Sequence, residues 1–436
     1  MTDLRKIVIA GAGAYHFAPA ILEDLFIRYR MDAEVWFVEA DLDLAELTAR
    51  AAQALAKGFG VTAQFYYTTQ LKKALISADA VVVSADFLDE EDWNRDKEIL
   101  TEIGLEKQVR LYGGLGGLLQ GLRAGNFLGQ MAEEMTKICP EATIILCDSG
   151  FGGLQIGRMA DGLSTFYGLR TFGVSGMTEQ TRKWLSLYLN VPEENLKVTC
   201  GGLNAFAWIS EARNKKTGED LMPRLKKEIT EDSREEIRAQ YIDFYDAVAA
   251  GSHCMQYEML ADTPKSPKRT VIYSGVGLAD FELRKRNLAL LTVNGPFAPK
   301  GVMAWNQIRT SGLQSARPIE ILRALWGESC TVDSLTMRSD GAINVSPGRF
   351  VEGPAKIEKG IVSGIPCPLS VEIEEICEQI SLCNRFYAEA AVTGNRDALR
   401  MGMEADPSLT GVDLLYAEDV VDEMMEGSKD KLPLFF

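Results

Sequence analysis

The sequence predicts an α/β protein in which a doubly wound parallel sheet is followed by a second, α+β lobe. Over the first 150 residues, short runs of β-forming apolar residues alternate with segments of helical periodicity. These runs are apolar throughout, which is typical of parallel strands covered by helices on both faces. After about residue 150, strand-like runs mix with long polar helices. We therefore divide the chain into a first domain at 1–200 and an α+β domain at 201–436.

The order of the elements follows from this pattern. Strands are predicted at 6–10, 34–38, 65–68, 80–84 and 143–146. Helices are predicted from the first turn to about residue 29, and at 42–57, 71–76 and 122–138. In the second part, strands at 196–200 and 206–209 accompany helices at 226–248 and 370–392. A helix between successive strands is the connection that parallel neighbours require.

Composition excludes several classes of function. The 436 residues are 46% apolar and 25% charged, which is the profile of a globular protein. With 46 basic and 62 acidic residues the net charge is −16, so nucleic acid and anionic membranes are poor partners. No run reaches the roughly 18 apolar residues of a membrane helix. The first strand begins without a preceding apolar signal segment, so we expect a cytoplasmic protein.

Metal and disulfide chemistry are also restricted by the composition. The chain has two histidines, His16 and His253, which argues against a site built from clustered imidazoles. Its eight cysteines are scattered singly, without a C-x-x-C pair, and are predicted to be buried thiols.

The turn after the first predicted strand carries a cofactor motif. Gly11 permits a tight turn, and Gly13 lets the backbone approach a pyrophosphate; His16 takes the third position of G-x-G-x-x-G. Glu39 ends the second strand, where a carboxylate accepts hydrogen bonds from ribose hydroxyls and repels a 2′-phosphate. The pattern predicts a Rossmann domain that binds NAD in preference to NADP. The predicted cofactor contacts are Gly11, Gly13, Ala14, Tyr15, His16 and Glu39.

Several segments in order resemble the NAD-dependent family 4 glycoside hydrolases. Residues 113–123, a glycine-rich run ending in Arg123, are similar to the family's Gly-Pro-Gly-Gly segment. Residues 202–208, which include Asn204 and Ala205, resemble its Gly-Ile-Asn-His-x-x-Trp. Residues 340–354, which end in Val-Glu-Gly-Pro, resemble its asparagine-glycine and Val-Glu-x-Pro stretch. The resemblance runs nearly end to end.

The resemblance implies a redox route to glycoside cleavage. In this family NAD⁺ oxidises the sugar C3 hydroxyl, a tyrosine removes the acidified C2 proton, the aglycone leaves by elimination, and the hydride returns after water adds. By its spacing from Tyr257, Tyr273 is the implied base, and Lys268 and Arg269 are close enough in sequence to lower its pKa. A tyrosine packed at a strand end remains an equal alternative, with Tyr257, Tyr241 and Tyr245 as competitors.

At the family's metal positions this chain departs from the pattern. The family holds a divalent metal by a cysteine and by the histidine of Asn-His, and here those positions are Ser175 and Ala205. A serine and an alanine do not make a transition-metal site, so we expect no metal. The family's Asn-Pro after the fifth strand is likewise replaced by Asp148 and Ser149.

Four residues are predicted to bind substrate: Arg123, Asp148, Ser149 and Asn204. Arg123 suits an anionic substrate or the cofactor, but a structural role beside the glycine-rich segment is equally open. Asn204 lies between apolar residues, so both substrate contact and backbone bonding remain open for its amide.

Two interpretations of the function remain after these differences from the family pattern. In the first, the enzyme is a metal-less glycosidase resembling the NAD-dependent sulfoquinovosidases, and it cleaves a glycoside of an anionic sugar such as sulfoquinovose. In the second, it is an NAD-dependent sugar dehydrogenase or a catalytically inactive NAD-binding paralogue. The expected partners are a small glycoside and further copies of the chain in a dimer or tetramer.

Overall fold

The computed structural model describes residues 4–13, 18–85, 87, 89–147, 155–251, 255–260, 278–310 and 317–436. Its strands are β1 (Arg5–Ala10), β2 (Ala33–Val38), β3 (Ala63–Thr68), β4 (Ala80–Val83), β5 (Thr143–Cys147), β6 (Thr171–Val174), β7 (Leu196–Leu203), β8 (Phe206–Asn214), β9 (Val248–Ala249), β10 (Ser329–Arg338), β11 (Phe350–Glu358) and β12 (Ile361–Gly364). They form one sheet in the order β3-β2-β1-β4-β5-β6-β10-β11-β7-β8-β9, with β12 paired to β11.

Helices cover both faces of this sheet. They are α1 (Ala18–Leu22), α2 (Leu42–Phe59), α3 (Leu71–Leu75), α4 (Glu90–Glu102), α5 (Gly114–Ile138), α6 (Ile156–Phe166), α7 (Met177–Tyr188), α8 (Met222–Glu231), α9 (Glu236–Tyr245), α10 (Leu278–Asn294), α11 (Pro299–Thr310), α12 (Pro318–Leu325), α13 (Val371–Thr393), α14 (Arg396–Ala405) and α15 (Leu414–Glu426). A π-helical turn, Glu23–Arg28, continues α1. None of the described helices is long and apolar enough to cross a membrane.

The first six strands confirm the predicted doubly wound sheet. Each pairs in parallel with its neighbours from β3 to β6, and the order reverses between β1 and β4. Side chains of β1 alternate between two buried clusters, with Ile7 and Ile9 on one face and Val8 on the other. Apolar packing on both faces explains why these strands read as continuous apolar runs.

The second part of the chain extends the same sheet. β10 pairs antiparallel with β6, and β11 and β7 follow it, so the strands after residue 174 add to the parallel sheet instead of forming a separate one. The predicted boundary between 200 and 201 falls inside β7, which runs unbroken to Leu203 against β8. A division into two domains at that point stays a prediction.

The start of α5 differs from the prediction of a helix beginning near residue 122. Glycine is a poor helix former, and the sequence from Gly113 therefore suggested a loop before Arg123. The helix begins at Gly114 because it packs closely against the preceding chain. A Cβ on Gly117 would lie 2.6 Å from the Leu111 carbonyl oxygen, so only glycine permits this approach. Tertiary packing overrides the local propensity here.

The prediction of one continuous helix at 226–248 is also wrong. It is two helices, α8 and α9, separated by a short 3-10 turn at Ser233–Glu235. The side chain of Asp232 accepts a hydrogen bond from the Arg234 backbone N–H, which begins the new turn. An aspartate that bonds the following backbone in this way competes with continuation of the helix.

Candidate active site

The predicted cofactor turn follows the carboxyl end of β1, next to the end of the neighbouring strand β4. The strand order reverses between these two strands. Ligands of doubly wound proteins bind at this place, outside the carboxyl ends of the strands. Gly11 has φ +79°, and a Cβ there would lie 2.3 Å from the Ala85 backbone. The hydroxyl of Ser84 donates a hydrogen bond of 2.8 Å to the Gly11 carbonyl oxygen. Glycine is therefore required for both the conformation and the space.

Gly13 and Glu39 meet directly at this edge. The Gly13 N–H donates to Oε2 of Glu39 at 3.0 Å, and a Cβ on Gly13 would lie 2.3 Å from the Leu44 side chain. Oε1 of Glu39 accepts from the Ala40 N–H, and lone pairs remain on both oxygens for further donors. The structure thus brings Gly11, Gly13 and Glu39 together, with a carboxylate that can accept further hydrogen bonds. The other predicted contacts, Ala14, Tyr15 and His16, lie outside the described residues.

A buried carboxylate, Glu352, organises the second part of the site. Its Oε1 accepts hydrogen bonds from the hydroxyls of Ser175 and Ser334, the latter at 2.8 Å. Its Oε2 accepts from the Asn204 amide at 3.0 Å and from the Thr336 hydroxyl at 3.3 Å. Glu352 is only 2% exposed, and all four donors are neutral. We call these five residues the Glu352 cluster.

The register of the sheet creates the Glu352 cluster. Thr336 of β10 is paired with Glu352 of β11, with Gly173 of β6 on one side and Gly202 of β7 on the other. A Cβ on Gly173 would lie 3.0 Å from Thr336. Glycine at position 173 therefore allows the close approach of β6 to Thr336. Because Ser175 directly follows β6, the Glu352 cluster lies at the carboxyl edge of the parallel sheet.

The two positions at which the family resemblance places metal ligands lie in or beside this cluster. The hydroxyl of Ser175 donates to Glu352 and accepts the Met177 N–H at 3.1 Å. Ala205 follows Asn204 in the turn between β7 and β8 and is buried with φ +60°. In the described part of the chain, no group of three or more His, Cys, Asp or Glu residues is arranged to hold a metal ion.

Arg123 lies elsewhere, in a buried ion pair. Its Nη1 and Nη2 donate to Asp96 at 2.6 and 2.8 Å, and its Nε donates to the Ser428 hydroxyl at 3.0 Å. The arginine and aspartate side chains are 4% and 1% exposed. These contacts join α5 to α4 and to the C-terminal segment. They favour the structural role of Arg123 over substrate binding, because its guanidinium is already bonded on both edges.

The tyrosines that the sequence offers as the base lie in different surroundings. Tyr241 is buried in an apolar cluster, with its ring 5.3 Å from that of Trp208. Tyr257 lies on a short 3-10 helix, Gln256–Met259, and its hydroxyl donates to Oε1 of Glu258 at 3.3 Å. Tyr273, Asp148 and Ser149 lie outside the described residues, so their assigned roles stay predictions.

Glu258 was not predicted from the sequence. Its Oε2 accepts the N–H groups of Leu111 and Tyr112, both at 2.9 Å, at the start of the glycine-rich segment. Burial raises the pKa of Glu258 to about 7, against the lowering effect of those two N–H donors. The sequence signal for Glu352 is its place in the Val-Glu-Gly-Pro stretch at 351–354. No sequence motif marks Glu258 as functional, since a glutamate next to a tyrosine is common in protein sequences.

We expect Glu258→Gln to change the pH dependence of stability. Because the folded-state pKa is raised, the contribution of Glu258 to stability is fully present below about pH 4.3, the pKa of an exposed glutamate, and is lost as pH rises towards 7. The glutamine of this variant keeps the carbonyl acceptor and does not ionise. Between pH 5 and pH 8 the variant should gain stability relative to the wild type, by up to about 3 kcal/mol.

Urea unfolding of both proteins at the two pH values measures this change. Glu102→Gln, at an exposed position at the end of α4, is the matched control and should show no such gain. An equal pH dependence in the wild type and Glu258→Gln would contradict the assignment.

Comparison with known proteins agrees with this architecture. Residues 6–147 match the family 4 glycosyl hydrolases, and residues 200–409 match the C-terminal domain of the same family. An α-glucosidase of Erwinia rhapontici is 24% identical over 92% of this chain and 93% of its own length. An α-galacturonidase of Bacillus subtilis is 26% identical over 51% of this chain and 49% of its own.

Solved structures share the fold. The 6-phospho-β-glucosidase of Thermotoga maritima, solved with manganese, NAD⁺ and glucose 6-phosphate, has a TM-score of 0.71 at 16% identity, over 98% of this chain and 99% of that one. The first match contains the glycine turn after β1, and the second contains Asn204, Ser334, Thr336 and Glu352 of the Glu352 cluster. This protein therefore belongs to the family 4 glycosyl hydrolases and is a hydrolase.

Proposed function

We propose that this hydrolase cleaves a glycoside of an anionic sugar, such as sulfoquinovose, by C3 oxidation, C2 deprotonation and elimination, without a metal. One observation carries the metal-free part of the proposal. The Ser175 hydroxyl, at a position where the family uses a metal ligand, is bonded to the Glu352 carboxylate, and the other ligand position is Ala205. An alanine has no donor atom, and a serine hydroxyl is a poor ligand for a transition metal.

The cofactor is NAD, as the sequence predicts. Gly11, Gly13 and Glu39 would hold its adenosine half, because the two glycines allow the tight turn at the end of β1 and the carboxylate accepts from ribose hydroxyls. Bound NAD⁺ supplies reversible oxidation at the sugar. The Thermotoga relative, whose structure contains NAD⁺, supports the assignment.

Two of the three relatives described above support the preference for an anionic sugar. One is named for galacturonic acid and another was solved with glucose 6-phosphate, whereas the third, an α-glucosidase, is named for a neutral sugar. Such a substrate must be recognised locally, since the chain carries a net charge of −16. Asp148 and Ser149 stay in the proposal as substrate contacts. Homo-oligomer formation and a cytoplasmic location also stay predictions.

The residues of the chain have distinct roles in this proposal. Asn204 binds a sugar hydroxyl through its amide oxygen, since its amide nitrogen is bonded to Glu352. Tyr273 accepts the C2 proton, as the family resemblance implies.

A single assay separates the glycosidase from a sugar dehydrogenase or an inactive paralogue. Aryl glycosides of sulfoquinovose, glucuronic acid, galacturonic acid and glucose 6-phosphate are incubated with enzyme and NAD⁺ in D₂O, after exhaustive chelation. The proposal predicts aglycone release, deuterium at C2 of the released sugar and no net NADH. Net NADH without aglycone would identify a dehydrogenase, and restoration of turnover only by Mn²⁺ would contradict the metal-free mechanism.

We expect NAD to bind at least about tenfold more tightly than NADP, a difference of about 1.4 kcal/mol. The physical reason is repulsion between the Glu39 carboxylate and the 2′-phosphate. Calorimetric titration of both cofactors measures the ratio, and Glu39→Ser should reduce it. Glu46→Ser removes a carboxylate from α2 that is paired with Arg50, and is the control. Equal affinities in the wild type would disprove the role of Glu39.

A further inference from the structure

Glu352 has an environment that suggests more than a structural role. Its carboxylate lies in the sheet interior with four neutral donors, drawn from the end of β6, the β7–β8 turn and β10. A buried carboxylate is costly unless hydrogen bonds compensate it, and hydrophobic residues would fill the same space at lower cost. Such a group is retained where its directional bonds fix other side chains.

The side chain that is fixed most specifically is Asn204. Because a carboxylate only accepts hydrogen bonds, the Asn204 nitrogen must face Glu352, and the amide oxygen must point the other way. Asn204 is 5% exposed, and its Oδ1 has no hydrogen-bond partner within the described part of the chain. A buried amide oxygen without a partner is rare in folded proteins. It is the arrangement expected of an acceptor kept for a ligand hydroxyl.

We propose that Glu352 is a positioning residue that holds the Asn204 amide oxygen towards the substrate site. Glu352 acts through Asn204 and does not itself contact the sugar. The inference rests on the proposed function for the identity of the ligand, a sugar hydroxyl. Its geometric part, the fixed amide, does not depend on that function.

Substitutions of Glu352 distinguish the effect of its hydrogen-bond geometry from the effect of its charge. Glu352→Gln keeps a carbonyl acceptor for Asn204 and Thr336 and turns an amide nitrogen towards Ser175 and Ser334, whose hydroxyls also accept. Glu352→Met has similar length and offers no acceptor. If Glu352→Met does not fold, Glu352→Asp replaces it in the test. Its carboxylate keeps the charge but lies one methylene further from the Asn204 amide. Glu358→Gln, at an exposed position on the same strand and paired with Lys356, is the matched control.

The first readout needs no substrate. In protein labelled with ¹⁵N-asparagine, the side-chain amide of Asn204 is identified as the resonance pair lost in Asn204→Ser. We expect it to exchange slowly with solvent in the wild type, Glu352→Gln and Glu358→Gln, and to shift and exchange faster in Glu352→Met or Glu352→Asp. An Asn204 amide that is the same in the wild type and in these last two variants would overturn the proposal.

The second readout is turnover of whichever aryl glycoside the wild type cleaves in the assay above. Glu352→Met should lower kcat/KM by about 100-fold, as expected for a misplaced contact, with unchanged NAD affinity. Glu352→Gln should recover most of the loss, which a general effect on folding would not explain. Loss of NAD affinity in parallel with activity would count against positioning. If the wild type cleaves no glycoside, the proposed function fails, while the amide resonance still decides the role of Glu352.

Discussion

Arg123→Met is expected to destabilise the fold by about 3–5 kcal/mol, the usual result of removing one partner from a buried ion pair. Arg123 and Asp96 are both nearly inaccessible, and two hydrogen bonds of 2.6 and 2.8 Å join them. Methionine fills similar space but leaves the Asp96 carboxylate buried without its cation. Chemical denaturation of the wild type and the variant measures the loss.

Two further variants test whether the stability loss in Arg123→Met comes from the unpaired Asp96 carboxylate. Arg396→Met removes an exposed ion pair with Asp422 and should cost less than about 1 kcal/mol. The double variant Arg123→Met with Asp96→Asn should recover part of the stability, because no isolated charge remains. A stable Arg123→Met protein with weakened substrate binding would instead restore the sequence-based assignment of Arg123 to the substrate.

Tyr273→Phe is expected to lower cleavage by about 10²–10⁴-fold, the usual contribution of a general base. If Tyr273 is the base, its loss leaves the C2 proton in place, so deuterium incorporation at C2 should fall together with aglycone release. NAD binding should stay near normal because the substitution leaves the glycine turn and Glu39 unchanged. Steady-state rates and the deuterium content of the product test both statements.

Tyr257→Phe is the informative comparison for this variant. Its hydroxyl donates to Glu258, which is itself bonded to the backbone before α5, so its loss should affect stability more than exchange. If Tyr257→Phe abolished exchange and Tyr273→Phe did not, the base would be Tyr257. Tyr66→Phe, on the partly exposed strand β3, controls for loss of a phenol in general.

The sequence by itself determined the parallel half of the fold and the position of the glycine turn and Glu39 at one edge of the sheet. Strands β1 to β5 were predicted within two residues at each end, because a strand buried on both faces requires a continuous apolar run that is visible locally. Gly11, Gly13 and Glu39 were also predictable. Each follows directly from the end of a strand, and the parallel order brings those ends together.

Only the tertiary structure decided the rest of the site. Glu352 bonds to Ser175 and Asn204 across 177 and 148 residues of chain, and no local pattern shows that β11 lies between β10 and β7. The sequence left both a substrate role and a structural role open for Arg123, because its partner Asp96 lies on a different helix and no local pattern shows the pair. The physical reason is common to both cases. A buried charge is defined by its partners, and strand pairing and helix packing bring those partners from distant parts of the sequence.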